Sequence, residues 1–260
     1  MAEKKYNIKD IINSTTEEKN KFNNSFLWWK IAVKYPAAFL TKIFLWFKIN
    51  PNSVTSISVL IGLIGLYLIA FGKYSYNLFG ILLVYIWQLL DDVDGNIARI
   101  TDCTSKYGEF LDDLGAIIMY GFLFYALGIN VALNPDIYVG HNNYFSSLFP
   151  YNVSIFITGS MCSILCVLRL YQNFLFNKVV GENLNKNSIK ITSKERNINF
   201  SLVYNLLRSN ILEFMGFLLP IVFISHSMKN IDYILILYFS FFLFDFLLST
   251  YAHLSRLKYD

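Results

Sequence analysis

The sequence predicts an all-α, polytopic membrane protein with six transmembrane helices and an N-terminal amphipathic juxtamembrane helix. Of its 260 residues, 55% are hydrophobic and only 15% are charged, whereas about 25% of the residues of a soluble domain are charged. The mean hydropathy is +0.43. Apolar stretches of about 20 residues, which can cross a bilayer as helices, recur along the chain. This composition excludes a disordered chain and argues against a soluble globular protein, which could not bury so much apolar surface.

The chain before residue 50 divides into two parts. Residues 1–24 are polar and rich in lysine, which predicts a frayed cytoplasmic tail. Residues 25–49 mix tryptophan and phenylalanine with lysine at short intervals. This pattern is typical of an amphipathic segment that lies in the membrane interface, and we expect one or two helices broken near Pro36.

Residues 50–260 are predicted to form a single six-helix membrane domain. Each apolar stretch has about the length that a bilayer requires. The second stretch ends in a run of acidic residues, and the third begins with one. The six predicted spans are about 53–71, 76–98, 109–133, 149–172, 203–224 and 231–252.

The distribution of basic residues predicts the orientation of these spans. Of the 22 Lys and Arg residues, only Lys73 and Lys229 fall on the side opposite to the two termini, and the loop 134–148 has none. Because cytoplasmic loops carry the excess of positive charge, we expect both termini on the cytoplasmic side of the cell membrane.

The stretch from Asp91 to Asp113 concentrates carboxylates at the predicted membrane edge. Asp91 and Asp94 are three residues apart and share a helix face, and Glu109, Asp112 and position 116 form one stripe of the next helix. Carboxylates at membrane depth are costly unless they are paired or bind metal. Two facing stripes of hard oxygen ligands predict Mg²⁺ or Mn²⁺, and two such ions can clamp a phosphoryl group. The alternative is an ordinary charged loop that is solvated and has no chemistry.

The spacing argues against an ordinary loop. The stretch fits the pattern D-x-x-D-G-x-x-A-R-x(8)-G-x-x-x-D, and on this motif the chain resembles the CDP-alcohol phosphatidyltransferase family. The segment N-P-N-S-V-T, which enters the first span at residues 50–55, is similar to a second element of that family. The motif positions are Asp91, Asp94, Gly95, Ala98, Arg99, Gly108 and Asp112.

The resemblance implies a function and a set of partners. Members of the family transfer a phosphoalcohol or phosphatidyl group from a CDP-linked donor to an alcohol acceptor and release CMP. The implied role is in phospholipid or envelope glycan-lipid biosynthesis, by a homodimer whose site faces the cytoplasm among membrane lipid. We expect no nucleic-acid partner.

The resemblance also implies roles for individual residues. It assigns Asp91, Asp94 and Asp112 to a metal site that holds Mg²⁺ or Mn²⁺, with two ions expected. Residues implied to contact the CDP moiety, or to lie close to it, are Gly95, Arg99, Ser105 and Gly108, together with Asn50, Pro51, Asn52 and Ser53.

The sequence departs from the family at Ala116, where the family pattern has a final aspartate that binds metal and acts as the base. Three interpretations are open. The change is engineered in an aspartate-bearing parent; or a natural branch uses another carboxylate or a metal-bound water; or the protein binds nucleotide without transfer. Glu109 is the better substitute base, because it shares the stripe of Asp112, whereas Asp113 is turned about 100° away.

The acceptor side is less specified. Arg169 and Arg208 lie at predicted helix ends and are the candidate acceptor-binding residues. Glu213 and Asp245, inside predicted spans, either pair with these arginines or line the acceptor pocket. Two other classes of function compete with the enzyme. Ala116 favours a non-catalytic membrane subunit that binds a CDP donor, and charges inside spans are typical of a transporter, which does not explain the G-x-x-A-R spacing.

Overall fold

A computed structural model describes residues 6–15, 23–24, 26–138, 151–183 and 216–257. Within these ranges the regular structure is helical, and no strand is present. The chain divides into two compact units, and the division falls between Met119 and Tyr120, inside one long helix. The first unit comprises the described residues up to Met119 together with 216–229, and the second comprises 120–138, 151–183 and 230–257.

Part of the polar N-terminal segment is ordered, in contrast to the frayed tail that its composition predicts. Helix α1 (Ile8–Asn13) begins with a capping box, in which Asn7 and Asp10 satisfy each other's backbone N–H groups. Ile11 of this helix is completely buried. Ile8 and Ile12 are half-buried beside it. Three isoleucines and the capping box therefore order a helix within a mostly polar segment.

The predicted interfacial segment contains a π-helix (Trp29–Val33) that leads directly into α2 (Lys34–Trp46). The expected break near Pro36 is absent. Pro36 has no N–H for the carbonyl of Ala32, four residues earlier, and the hydroxyl of Tyr85 donates to that carbonyl at 2.6 Å. The widened π turn and this outside donor together accommodate the proline without ending the helix.

One face of α2 packs against the first unit, and the other carries large exposed side chains. Ala37, Ala38 and Thr41 are buried, whereas Phe39 and Trp46 are mostly exposed. Small residues on the inner face let the backbone of α2 approach its neighbours closely. Whether the outer face lies in a membrane interface stays a prediction.

Three helices position the site in the first unit. They are α3 (Pro51–Phe71), α4 (Tyr74–Ile100) and α5 (Lys106–Leu133). Close approach of α3 and α4 requires Gly65 and Gly80, because a Cβ on either glycine would lie within 3 Å of the other's carbonyl oxygen. Helix α8 (Leu218–Ser227) belongs to the same unit.

Helix α4 ends in a Schellman motif, which turns the chain back toward α5. The N–H of Cys103 donates to the Ala98 carbonyl at 3.0 Å, and Asp102 takes the left-handed conformation with φ 52°. Glycine is usual at this position, but aspartate tolerates it. The loop that joins the two halves of the aspartate motif is therefore a defined turn.

The second unit is built from the end of α5, α6 (Pro135–Tyr138), α7 (Tyr151–Asn183) and α9 (Ile231–Leu257). Gly128 and Gly159 face each other, and a Cβ on Gly159 would lie 2.9 Å from the Gly128 Cα. Small residues at such a contact are typical of packed membrane helices. Phe124 also packs there against Tyr238 and Phe242.

Among the described residues, four helices are long and apolar enough to cross a membrane. They coincide with the predicted first, third, fourth and sixth spans. Helix α4, the predicted second span, is long enough, but its buried Asn77 and Gln88 and its aspartates make it less apolar. Most of the predicted fifth span, 203–215, lies outside the described residues, so a count of six stays a prediction. The helix of the predicted fourth span, which begins at Tyr151, continues to Asn183, beyond its predicted end at residue 172.

Candidate functional site

A cavity of about 450 Å³ opens in the first unit, where the ends of α3, α4 and α5 meet. It contains most of the motif positions, which the chain brings in from three separate helix ends. Helix α3 contributes Pro51, Asn52 and Thr55, and α4 contributes Asp94, Gly95, Ala98 and Arg99. The loop and the first turns of α5 contribute Cys103, Thr104, Ser105, Lys106, Gly108, Glu109 and Asp112.

Two helix N-termini point their first turns at this cavity. Asn50 caps α3 by accepting from the Asn52 N–H at 2.9 Å, and Pro51 occupies the first helical position. Ser105 caps α5, because its hydroxyl accepts from the Gly108 N–H at 3.0 Å. Helix N-termini carry partial positive charge and unsatisfied N–H groups. Two of them at one cavity favour an anion.

Gly108 is needed where these two N-termini meet. A Cβ on Gly108 would lie 2.7 Å from Asn52 Oδ1 and 3.2 Å from Ser105 Oγ. Ser105 Oγ also lies 3.5 Å from Asn52 Oδ1. A larger residue at position 108 would therefore push Asn52 away from the cavity wall.

Arg99 is the cation on the α4 side of the cavity. Burial lowers the pKa of its guanidinium, while Asp92, Asp94 and Asp112 act in the opposite direction, and an arginine stays charged in any case. Its Nη2 donates to Asn96 at 2.7 Å. Its Nε is buried and has no hydrogen-bond partner among the described residues. This leaves a charged donor for a ligand at the cavity wall.

The predicted metal-binding aspartates lie close together. Asp91 interacts directly with Asp112 across the two helices, and Asp94 and Asp92 add their negative charge. Asp94 and Asp112 line the cavity, whereas Asp91 does not. No three His, Cys, Asp or Glu side chains in the described ranges form a ready-made metal cage. Carboxylate oxygens are the donor type that hard divalent cations accept, so a metal at these aspartates stays a prediction.

Two residues of the N-P-N-S segment do not line the cavity. Asn50 is the helix cap described above, and Ser53 is exposed. Asn52 and Thr55 are three residues apart and so share the face that lines the cavity, while Ser53 is turned about 100° from Asn52.

The stripe of Glu109, Asp112 and Ala116 lies on one continuous helix, as predicted. Glu109 and Asp112 line the cavity. Asp113 is exposed and is not part of the cavity wall. Of the two candidate substitutes for the missing base, Glu109 is therefore the one beside the cavity.

Of the two residues predicted to bind the acceptor alcohol, only one lies within the described residues. Arg169, in the second unit, forms an ion pair with Asp245 at 2.7 Å and also donates to Asn173. Its charge is therefore already partnered within that unit. Arg208 lies outside the described residues.

Sequence reasoning missed four residues of the cavity wall: Thr55, Cys103, Thr104 and Lys106. Thr55 is the last residue of the N-P-N-S-V-T segment, and the other three occupy variable positions of the aspartate motif. The signal was present, however, because the last three belong to the short loop between Arg99 and Gly108, and any chain that brings those two residues together must place this loop beside them.

Comparison with known proteins covers the part of the chain that contains the cavity wall. The sequence profile described as CDP-alcohol phosphatidyltransferase matches residues 48–177, which is half of the chain and includes the whole cavity wall. The chain belongs to the CDP-alcohol phosphatidyltransferase family. This is a family of membrane enzymes, and four helices among the described residues are long and apolar enough to cross a membrane. The chain is therefore an integral membrane protein.

Curated relatives in Helicobacter pylori match part of this family member. A CDP-diacylglycerol–serine O-phosphatidyltransferase of strain 26695 is 32% identical over 92 residues, which are 35% of this chain and 35% of the relative. The protein of the same name in strain J99 is 30% identical over 92 residues, with the same coverage. The match thus spans about a third of the length of these relatives.

Proposed function

We propose that the chain transfers a phosphatidyl or phosphoalcohol group from a CDP-linked donor to an alcohol and releases CMP. The observation that carries the proposal is the convergence of two helix N-termini and the Arg99 guanidinium on one cavity. A diphosphate is the ligand that such a set of donors fits best. Family membership supports the reaction class, and the names of the H. pylori relatives make CDP-diacylglycerol and serine the first pair to assay.

The chain's own residues suggest how the donor is held. Arg99 would donate to the phosphates, and the N-termini of α3 and α5 would stabilise the negative charge that grows as CMP leaves. Gly95 and Gly108 leave room for the ligand to approach the backbone. A methyl group at position 95 would sit 3.1 Å from Arg99 Nη1, so the guanidinium would have to shift by a few tenths of an ångström.

Asp91, Asp94 and Asp112 would hold Mg²⁺ or Mn²⁺. When bound, the metal would neutralise the phosphate oxygens and polarise the attacked phosphorus. Glu109 is the carboxylate that could take the proton of the acceptor hydroxyl, since Ala116 cannot. The proposal extends to a homodimer with the cavity on the cytoplasmic side.

Cys103 offers a direct test of where the donor binds. It is an exposed cavity-wall residue, whereas Cys162 and Cys166 are buried in the second unit. In detergent, a maleimide should label Cys103, and saturating CDP should slow that labelling. Cys103→Ser should abolish the labelling and serves as the control. An unchanged labelling rate at CDP concentrations that saturate binding would place the nucleotide elsewhere.

Transfer itself is tested by CMP release from CDP-diacylglycerol in mixed micelles, with serine and other small alcohols as acceptors. Arg99→Ala should abolish release. A protein that binds CDP donors but releases no CMP with any acceptor would support the second candidate, a non-catalytic donor-binding membrane protein. Ala116 is the observation that favours that candidate, because alanine can neither bind metal nor take a proton.

A further inference from the structure

A chain of three side-chain hydrogen bonds joins Arg99 to helix α2. Arg99 Nη2 donates to Asn96 Oδ1 at 2.7 Å. Asn96 Nδ2 donates to Thr41 Oγ1 at 3.3 Å, across 55 positions of sequence. Thr41 Oγ1 in turn donates to the carbonyl of Ala37 at 2.7 Å. The cavity arginine is thereby tied to the segment that precedes the membrane domain.

The direction of this chain follows from the chemistry of its members. A guanidinium only donates, so the amide oxygen of Asn96 must face Arg99 and its nitrogen must face Thr41. The hydroxyl proton of Thr41 is engaged by Ala37, so its oxygen is left to accept from Asn96. Each polar atom in the series can therefore act only as the donor or only as the acceptor that the geometry requires.

The Thr41 end of this series of hydrogen bonds is rigid. Thr41 is completely buried, so its hydroxyl has no water to turn to. Ala37, which receives the last bond, belongs to a packed cluster with Val54, Val93 and Ile97. At the other end, Arg99 lines the cavity and keeps a buried Nε without a partner in the described ranges.

We propose that Asn96 and Thr41 are positioning residues that hold Arg99 in the orientation in which it receives the donor's phosphates. This inference rests on the proposed function. Asn96 occupies a variable position of the D-G-x-x-A-R pattern, and Thr41 lies outside the pattern, so the motif specifies neither. A long, flexible arginine loses conformational freedom when it binds an anion, and a side chain that is already oriented loses less.

The test measures CDP affinity of the full-length purified protein in detergent. Thr41→Val and Asn96→Ala should each weaken CDP binding about tenfold. Asn96→Ala removes the bond to the guanidinium, and Thr41→Val removes the bond that fixes the Asn96 side chain. Thr41→Ser keeps the hydroxyl and should bind CDP as the unchanged protein does. Thr158→Val is the matched control, because Thr158 makes the same bond to the carbonyl four residues earlier but lies in the second unit.

A thermodynamic cycle separates positioning from general stability. In an Arg99→Ala background, Thr41→Val should have no further effect on CDP affinity, because it acts through Arg99. If Thr41→Val does not fold, Asn96→Ala breaks the same chain at a half-buried side chain and is used in its place.

Two results would overturn the inference, and they can be told apart. Unchanged CDP affinity in Asn96→Ala, or an equal loss with and without Arg99, would refute the positioning role and leave the proposed function intact. Failure of the unchanged protein to bind CDP would refute the proposed function, and the inference would fall with it.

Discussion

The indole N–H of Trp29 donates to the carboxylate of Asp92, which lies 63 residues further along the chain. This bond connects the π-helix to the aspartate run of α4. Asp92 therefore has a different role from its neighbours Asp91 and Asp94, which are fixed positions of the motif. Asp92 does not line the cavity, and its carboxylate instead attaches the N-terminal segment to α4.

This bond should contribute measurably to stability. Trp29→Phe removes the indole donor and leaves a carboxylate without it, so we expect the free energy of unfolding to fall by about 1.5–3 kcal/mol. The neighbouring Trp28 provides a matched control. Its indole nitrogen is buried with no partner among the described residues, so Trp28→Phe removes a similar volume without removing a bond. Equal losses in the two variants, measured by denaturation in detergent, would show that the Trp29 bond contributes nothing.

The proposed metal site predicts metal-dependent stability. Mn²⁺ or Mg²⁺ should raise the melting temperature of the protein and tighten CDP binding, because a ligand of the folded state stabilises it. Asp91→Asn combined with Asp112→Asn should abolish both effects. Asp136→Asn removes an exposed carboxylate outside the motif and should leave both in place. Persistence of the metal effects in the double variant would mean that the ions bind elsewhere.

The residue at position 116 should decide whether the protein catalyses transfer and releases CMP. General-base assistance is worth about 10²–10⁴-fold, and Ala116→Asp restores a carboxylate one helical turn beyond Asp112, on the same face. If alanine replaced a parent aspartate, this variant should raise CMP release by orders of magnitude with little change in donor affinity.

The other two interpretations of Ala116 predict different results in the same assay. If a natural branch uses Glu109 as the base, the unchanged protein releases CMP. Glu109→Gln should then abolish CMP release, and Ala116→Asp should raise it little. If the protein only binds nucleotide, neither variant releases CMP. Strong activity without both Glu109 and Asp113 would exclude these two carboxylates as the base.

The predicted orientation can be checked with two described positions. Asp136 is exposed within the loop that has no Lys or Arg, and Cys103 is exposed in the 99–107 loop. A membrane-impermeant maleimide applied to intact cells should label Asp136→Cys in a Cys103→Ser background and should not label native Cys103. Permeabilised cells should show labelling at both positions. The reverse pattern in intact cells would invert the topology.

Several features of the site could be predicted because they are local. Asp91 and Asp94 share a face, as do Glu109, Asp112 and Ala116, since helical periodicity decides both relationships. The predicted span limits at residues 98 and 109, which follow from the change of polarity at the membrane edge, lie close to the end of α4 at Ile100 and the start of α5 at Lys106. Motif spacing was sufficient to assemble most of the cavity wall, because its two halves are joined by one short loop.

Other features depended on contacts between distant segments. Nothing in the local pattern of residues 25–49 distinguishes Trp29 from Trp28. The indole N–H of Trp29 donates to Asp92, whereas that of Trp28 has no hydrogen-bond partner among the described residues. The continuity of the helix through Pro36 depended on a hydroxyl from Tyr85, 53 residues away from Ala32. The sequence left open whether Asp245 pairs with Arg169 or lines an acceptor pocket, and the packing of α7 on α9 decides for the ion pair.

The sequence by itself determined the helical membrane class, the position of the aspartate motif and the family to which it belongs. These depend on hydropathy over about 20 residues and on spacing within one or two helical turns. The tertiary structure alone decided that Asn50 is a cap while Asn52 lines the cavity, and that Thr41 reaches Arg99 through Asn96. Such contacts depend on the rotation and depth at which two helices pack, and side-chain periodicity constrains the buried face of a helix but not which partner each buried polar group meets.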